Sequence, residues 1–229
     1  MASINFSSKN KKSWNFRDTS LWSLIGSNII GLLIAVKEGW GILPLLWIYW
    51  GQSISIGIIN VIRMLSLKDF TTEGLTYNGK PVPASRAGQI SAALFFSIHY
   101  GFFHLVYAVF LGSGIFSKGG LAPGESSYIF FTGIIFLSIH LFSFFHNREA
   151  DTPGQNLGTV MFFPYIRIIP MHIFIIFGGM ASTVLGEGNW VLLTLFVFLK
   201  TGADALMHLI EHAREAQTDP KPDLNPGDI

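Results

Sequence analysis

Six apolar stretches, each close to the length that crosses a bilayer, dominate this chain: Leu21 to Val36, Ile42 to Leu65, Ala87 to Phe116, Tyr128 to Phe145, Phe162 to Leu185 and Trp190 to His212. A helix rising about 1.5 Å per residue needs roughly 17 to 25 such residues to cross a hydrocarbon core about 30 Å thick. In hydrocarbon every backbone N–H and C=O must be satisfied within the protein, so runs this long specify helices. Half of the 229 residues are apolar, 21 of them phenylalanine, and mean hydropathy is +0.46, above what a soluble domain of this length carries. The expected fold is therefore all-α: a polytopic membrane protein with six transmembrane helices over residues 21–213, a basic segment over 1–20 and a polar tail over 214–229. The expected location is the cell membrane, multi-pass. The basic start followed by an apolar run imitates a signal peptide, but no small-residue cleavage site follows it, and five further spans argue for retention.

Formal charge is only +1, yet Lys and Arg are unevenly distributed. Lys9, Lys11, Lys12 and Arg17 precede the first span, and Arg63, Lys68, Lys80 and Arg86 lie around the second loop. Arg148 and Arg167 flank the fourth loop, Arg214 and Lys221 follow the last span, and only Lys37 and Lys118 fall on the other side. Because cytoplasmic loops carry the basic excess, both termini are expected in the cytoplasm. Asn78-Gly79, followed by prolines at 81 and 83 around Val82, predicts a turn or short hairpin, and the proline-rich end from Thr218 is expected to be disordered. No nucleic-acid signal is present; membrane lipids are the expected partners, and a homo-oligomer is left open. The chain has no cysteine, which rules out disulfides, thiolate metal sites and cysteine nucleophiles. Any metal must be held by His, Asp or Glu.

Seven histidines punctuate the greasy segments, where a polar group is expensive unless it is used. Counting inward from the basic residues at about 1.5 Å per residue puts His140, His172 and His208 roughly 8 to 12 Å inside one leaflet. His99 reaches the same level if the long third helix tilts. His146 and His212 lie at the cytoplasmic edge, and His104 lies further out. His99, His140, His172 and His208 are thus candidate ligands of a divalent metal, zinc above all, since three imidazoles plus water form the catalytic zinc pattern. The competing reading is that each imidazole bonds a carbonyl or hydroxyl on a neighbouring helix.

On the last helix Asp204, His208 and His212 are spaced by four and share a face, with Glu211 close to His208 and Lys200 one turn toward the midplane. His208-Leu-Ile-Glu-His212 also fits the His-x-x-Glu-His pattern of inverted zinc peptidases, although solvated His and Glu are ordinary where a helix leaves the membrane. Glu211 and Asp204 are the candidate acid–base groups. Asp204 could equally steady the tautomer of His208 or pair with Lys200, whose ammonium needs a partner at that depth. Asn60, Arg63, Arg167 and Lys200 form a candidate binding set for an anionic cofactor or substrate; as bland alternatives the arginines anchor topology. Gly178, Gly179, Ala181 and Ser182 read as a close-packing face, and Trp40, Trp47, Tyr49 and Trp50 as the outer aromatic belt.

Several motifs occur in a distinctive order: Tyr49-Trp50 through Gly57, Asn60 and Arg63-Met64; His99-Tyr100-Gly101 with His104; His140 with Ser143-Phe144. Pro164-Tyr165 with Arg167-Ile168 and His172 follows, and then Lys200-Thr201, Asp204, His208 and Glu211-His212. This order, from Trp47 to about His212, resembles a family of small polytopic bacterial and archaeal membrane proteins known only as a domain of unknown function. The resemblance implies a helical membrane domain and no reaction.

Three functions fit. The first is a metal-dependent membrane hydrolase or transferase acting on a lipid or amphipathic substrate. The second is a haem-binding redox protein with axial histidines. The third is a transporter with a His/Asp/Lys proton relay, against which stand the missing repeat symmetry and the few helix-breaking residues.

Overall fold

The computed structural model describes residues 19–37, 39–116, 118–146, 154–186 and 189–218; side chains at 19–21, 23, 24, 27, 31, 34, 143, 146, 182, 183 and 208–218 are outside the described set. The molecule is a helical membrane bundle. Five helical stretches are long and apolar enough to cross a membrane: Ile42–Ser66, Arg86–Gly112, Glu125–Phe142, Leu157–Ala181 and Trp190–Met207. The first apolar run forms α1 (Thr19–Lys37). The helices α2 (Ile42–Ser66), α3 (Arg86–Gly112), α4 (Glu125–His146) and α8 (Trp190–Thr218) are unbroken. Leu, Ile and Phe side chains such as Leu94, Ile98, Phe142 and Phe198 are exposed on their outer faces, the surface that meets lipid.

α2 is the hub, packing against α3, α4, α5 (Leu157–Phe162) and α6 (Tyr165–Ile173), while α1 packs on α8 and α8 on α6. Gly57 permits the closest α2–α3 approach: a Cβ there would lie 2.6 Å from Tyr100 Cε1. The cut end of α2 is finished by side chains of α3, since Gln89 Nε2 donates to the carbonyls of Met64 and Leu67 and Arg86 Nη1 to that of Leu65. These bonds satisfy acceptors that a helix terminus otherwise leaves open.

The loop after α2 is a small built structure. Strands β2 (Thr76–Tyr77) and β3 (Lys80–Pro81) form the expected hairpin, turning through Asn78 and Gly79 at φ 48° and 73°, the mirror-image turn that such pairs favour. Strand β1 (Phe70–Thr71) runs parallel to β4 (Gln155–Asn156), which precedes α5. The loops after α2 and after α4 therefore share one face of the bundle. Asn156 links them further, accepting from Thr159 N as the α5 cap and donating to the carbonyl of Glu73.

Two spans depart from expectation. The third helix was expected to reach Phe116 but ends at Gly112, where Ser113 bonds the Phe110 carbonyl through both its backbone N–H and its hydroxyl. Phe116 then folds inward to 1% exposure, near Gly178 and Gly179, whose missing side chains leave room for it. The fifth span is not one continuous helix. It comprises α5 (Leu157–Phe162), a turn at Phe163-Pro164, α6 (Tyr165–Ile173), a π-helical segment (Phe174–Gly178) and α7 (Gly179–Leu185). Pro170 lacks an N–H and its ring crowds the Ile166 carbonyl, so a regular α-helix cannot pass through it undisturbed. The expectations for the N-terminal segment before Thr19 and for the tail after Thr218 lie outside the described residues.

Candidate functional site

The most concentrated polar chemistry in the described membrane region joins α1, α2, α6 and α8. Lys200 stands ten residues after Trp190, which is about 15 Å along the helix and close to mid-bilayer depth. Its ammonium donates to Asp204 Oδ2 at 2.8 Å and to Asn28 Oδ1 on α1 at 3.0 Å. From α6, Arg167 Nη2 lies 3.0 Å from Asp204 Oδ1. Tyr49 on α2 closes the site from another side: its hydroxyl donates to the Arg167 carbonyl at 2.7 Å, and Lys200 Nζ lies 5.4 Å from the centre of its ring. Asp204 is 5% exposed.

The expected Lys200–Asp204 pair is thus present, and Arg167 belongs to it as an inward-facing ion, not a topology anchor. Tyr49 is corrected as well. Expected in the outer aromatic belt, it is 1% exposed, packed edge-on against Phe196 and used to satisfy a backbone carbonyl of the broken span. Trp50 likewise turns inward, donating from Nε1 to the His104 carbonyl.

Charge and hydrogen bonding are unequally met in this cluster. Two cations share one carboxylate, leaving a charge excess of one. Asp204 Oδ1 is close to Arg167 Nη2, but the N–H is not aimed at it, and among the described residues the oxygen has no hydrogen bond. Arg167 Nε and Asn28 Nδ2 are likewise buried without a hydrogen-bond partner among the described residues. An unpaired polar group in hydrocarbon is costly, so a cluster with several of them is unfinished.

The described histidines each have a separate hydrogen-bond partner. His99 Nδ1 lies 2.8 Å from Tyr165 OH, and His172 Nδ1 lies 3.1 Å from Tyr107 OH, so each ring joins α3 to α6. His140 on α4 bonds the Phe136 carbonyl through Nδ1 at 3.0 Å and stacks on that ring. His104 is the most buried of them, 3% exposed, with Nδ1 on the Tyr100 carbonyl and its ring stacked on Tyr100. Tyr100 in turn donates to the Ser53 carbonyl and shares a bond with the Ser53 hydroxyl. Among the described residues no three His, Asp or Glu side chains are grouped so as to hold a metal ion. The side chains of His146, His208, Glu211 and His212 lie outside the described residues. Asn60 is buried on α2 with Nδ2 lacking a hydrogen bond, and Arg63 follows one turn later, half-buried.

Sequence reading missed Asn28, Ser53 and Tyr107, and named Tyr100 and Tyr165 only within motifs, without a role. Asn28 was the legible one, as an amide inside an apolar run; the tyrosines are indistinguishable from core or belt aromatics until their hydroxyl partners are known. Elsewhere a cleft of about 490 Å³ opens between the hairpin loop and α5, lined by Glu73, Leu75, Asn156, Thr159, Phe162 and Ile166. Its floor is apolar, and the ion cluster's members are not among its lining residues.

The profile of the Family of unknown function (DUF6498) matches residues 10–221. The chain belongs to that family. The match covers every described helix, and so includes Lys200, Asp204, Arg167, Asn28 and Tyr49. No curated protein and no solved structure matches the chain.

Proposed function

We propose that this family member is a proton-coupled carrier whose coupling centre is Asp204 held between Lys200 and Arg167. One observation carries the reading: a carboxylate 5% exposed, shared by cations from two helices near mid-membrane depth. Ionisable groups at that depth are expensive and commonly mark proton or solute paths. A purely structural triad would be expected to satisfy its donors and acceptors, and among the described residues this one leaves Asp204 Oδ1 and Arg167 Nε buried without hydrogen bonds.

The broken fifth span supports the same reading. Carrier sites lie where membrane helices are discontinuous, and irregular backbone is tolerated at depth only inside protein or along a cavity. Arg167 stands at the start of a nine-residue piece bounded by the Phe163-Pro164 turn and the π-helical segment. That piece can shift against α8 without unfolding either neighbour. Such motion would make and break the Arg167–Asp204 contact.

Proteoliposomes containing a trapped pH dye test this. Monocarboxylates, amino acids, inorganic phosphate and organic cations are added outside in turn, with protein-free vesicles as the blank. At least one class is expected to drive protein-dependent proton movement that Asp204→Asn abolishes. Absence of such movement with every class overturns the reading.

A metal-dependent hydrolase is the second reading. It is favoured by His140, whose Nδ1 is fixed on the Phe136 carbonyl, an arrangement that presents the opposite ring nitrogen to a metal. His208 and Glu211 would supply the rest of the zinc site. Elemental analysis of protein purified without chelator decides it: stoichiometric zinc lost in His140→Ala and His208→Ala supports it, and metal-free protein that takes up no added zinc ends it.

A further inference from the structure

We infer that the cluster takes a small monovalent carboxylate, bound together with one proton so that the site's charge does not change over the cycle. This names the substrate class of the proposed coupling centre and rests on that reading.

The argument begins with the guanidinium. Nε and Nη2 of an arginine lie along one edge and offer two parallel N–H donors, the fork that fits a planar carboxylate. In Arg167 Nη2 lies 3.0 Å from Asp204 Oδ1, while Nε is buried and, among the described residues, without a hydrogen-bond partner. Asp204 therefore occupies half of a carboxylate site, and its Oδ1 receives no hydrogen bond even there. Asn28 adds a further unpartnered donor, Nδ2, on an amide whose Oδ1 is already fixed by Lys200. Among the described residues the groups facing Asp204 are Arg167 from α6, Lys200 from its own helix and, electrostatically, Tyr49 from α2, with Asn28 of α1 reaching it through Lys200.

Charge then determines the stoichiometry. With Asp204 ionised the cluster carries one net positive charge. A proton added to a carboxylate oxygen of Asp204 raises it to two and weakens the hold on Arg167. A monovalent carboxylate that takes the Nε–Nη2 edge, with Asn28 Nδ2 on one of its oxygens, restores one. No covalent bond is formed or broken; the proton leaves Asp204 when the anion leaves, and Arg167 returns to it. A dianion would instead neutralise the site and make transport electrogenic.

The test measures binding apart from transport. Thermal unfolding of the detergent-solubilised full chain is followed with formate, acetate, butyrate and octanoate, with inorganic phosphate, and with tetraethylammonium at equal ionic strength. Asp204→Asn, which mimics the protonated carboxyl, is expected to be stabilised by at least one monocarboxylate at pH 5.5 and 7.5 alike. A rise of roughly 3–6 °C at ten times Kd is expected for a chain of this size. Wild type responds at pH 5.5 and much less at pH 7.5, and Arg167→Gln responds at neither. If Asp204→Asn does not fold, the pH dependence of the wild type and its loss in Arg167→Gln carry the same test. Stabilisation by phosphate or tetraethylammonium alone, or by no probe, overturns the carboxylate inference and leaves the carrier reading to the vesicle assay. Monocarboxylate binding without proton movement in that assay upholds the site and overturns the carrier. Where uptake is found, its rate is expected to be unchanged when a potassium diffusion potential is imposed; a dependence on potential overturns the one-to-one stoichiometry.

Discussion

Replacing Asp204 by Asn keeps the shape of the side chain and removes the only described negative charge in the cluster. In the wild type two cations, each 16% exposed, lie 3.0 and 2.8 Å from its oxygens. Removing one partner of a buried pair costs about 3–5 kcal/mol, because the remaining charge stays desolvated; here two cations are left facing each other, which puts Asp204→Asn at the upper end. Lys200→Met behaves differently. It leaves Arg167 and Asp204 as a neutral pair and strands Asn28 Oδ1 and Asp204 Oδ2, a loss of about 1–3 kcal/mol for each unsatisfied buried acceptor but with no charge left in excess. The double variant Lys200→Met/Asp204→Asn is expected to cost less than the sum of the two by about 0.5–3 kcal/mol, the coupling of groups in direct contact. Equilibrium unfolding in mixed micelles, read by the fluorescence of the six tryptophans, measures all three. The reasoning is refuted if Lys200→Met costs more than Asp204→Asn, since the charge excess would then be fictitious. It is refuted too if Asp204→Asn falls within 1 kcal/mol of wild type.

Gly57→Ala should destabilise by about 1–3 kcal/mol in the same assay, because the new methyl meets a Tyr100 ring held by its hydroxyl bonds to Ser53 and unable to swing away; a neutral result would mean α2 and α3 are not packed at this distance. Asn156→Ala removes both the α5 cap and the bond to the Glu73 carbonyl, a loss of about 1–2 kcal/mol. Faster protease cleavage within 66–85 in vesicle-embedded protein, with overall unfolding little changed, checks it. Trp50→Phe should leave the His104 carbonyl without its indole donor and cost about 1–2 kcal/mol, whereas Trp40→Phe, whose ring lies tilted and 6.0 Å from that of Tyr128, should be close to neutral.

The helical membrane fold was legible because it follows from length and hydrophobicity, which are additive along the chain and need no knowledge of neighbours. The hairpin at Asn78-Gly79 was legible for a related reason: left-handed backbone at two successive residues is a local requirement. The Lys200–Asp204 pair could be read as well, since a spacing of four on a helix implies contact. The break in the fifth span was written in Pro164 and Pro170, but its length was not. A proline removes one donor, and the packing of Phe116 and Ile115 against Gly178 and Gly179 belongs with the π-helical turn that follows.

Partnership across helices was not legible. Equal depth suggested that His140 and His172 meet; depth, however, says nothing of the angle at which a side chain leaves its helix, and α4 packs against α2 while His172 pairs with Tyr107 of α3. Arg167 and Tyr49 looked like interface residues for the same reason, each lying near the end of an apolar run. The sequence by itself determined that this chain forms membrane-spanning helices and that one of them carries a lysine and an aspartate near mid-membrane depth. Only the tertiary structure decided that Arg167 from a broken helix and Asn28 from the first span join that pair with one carboxylate between two cations. Hydrophobicity is a property of each residue alone, whereas an ion pair depends on the rotation of two helices about their axes, which is decided by how the whole bundle packs.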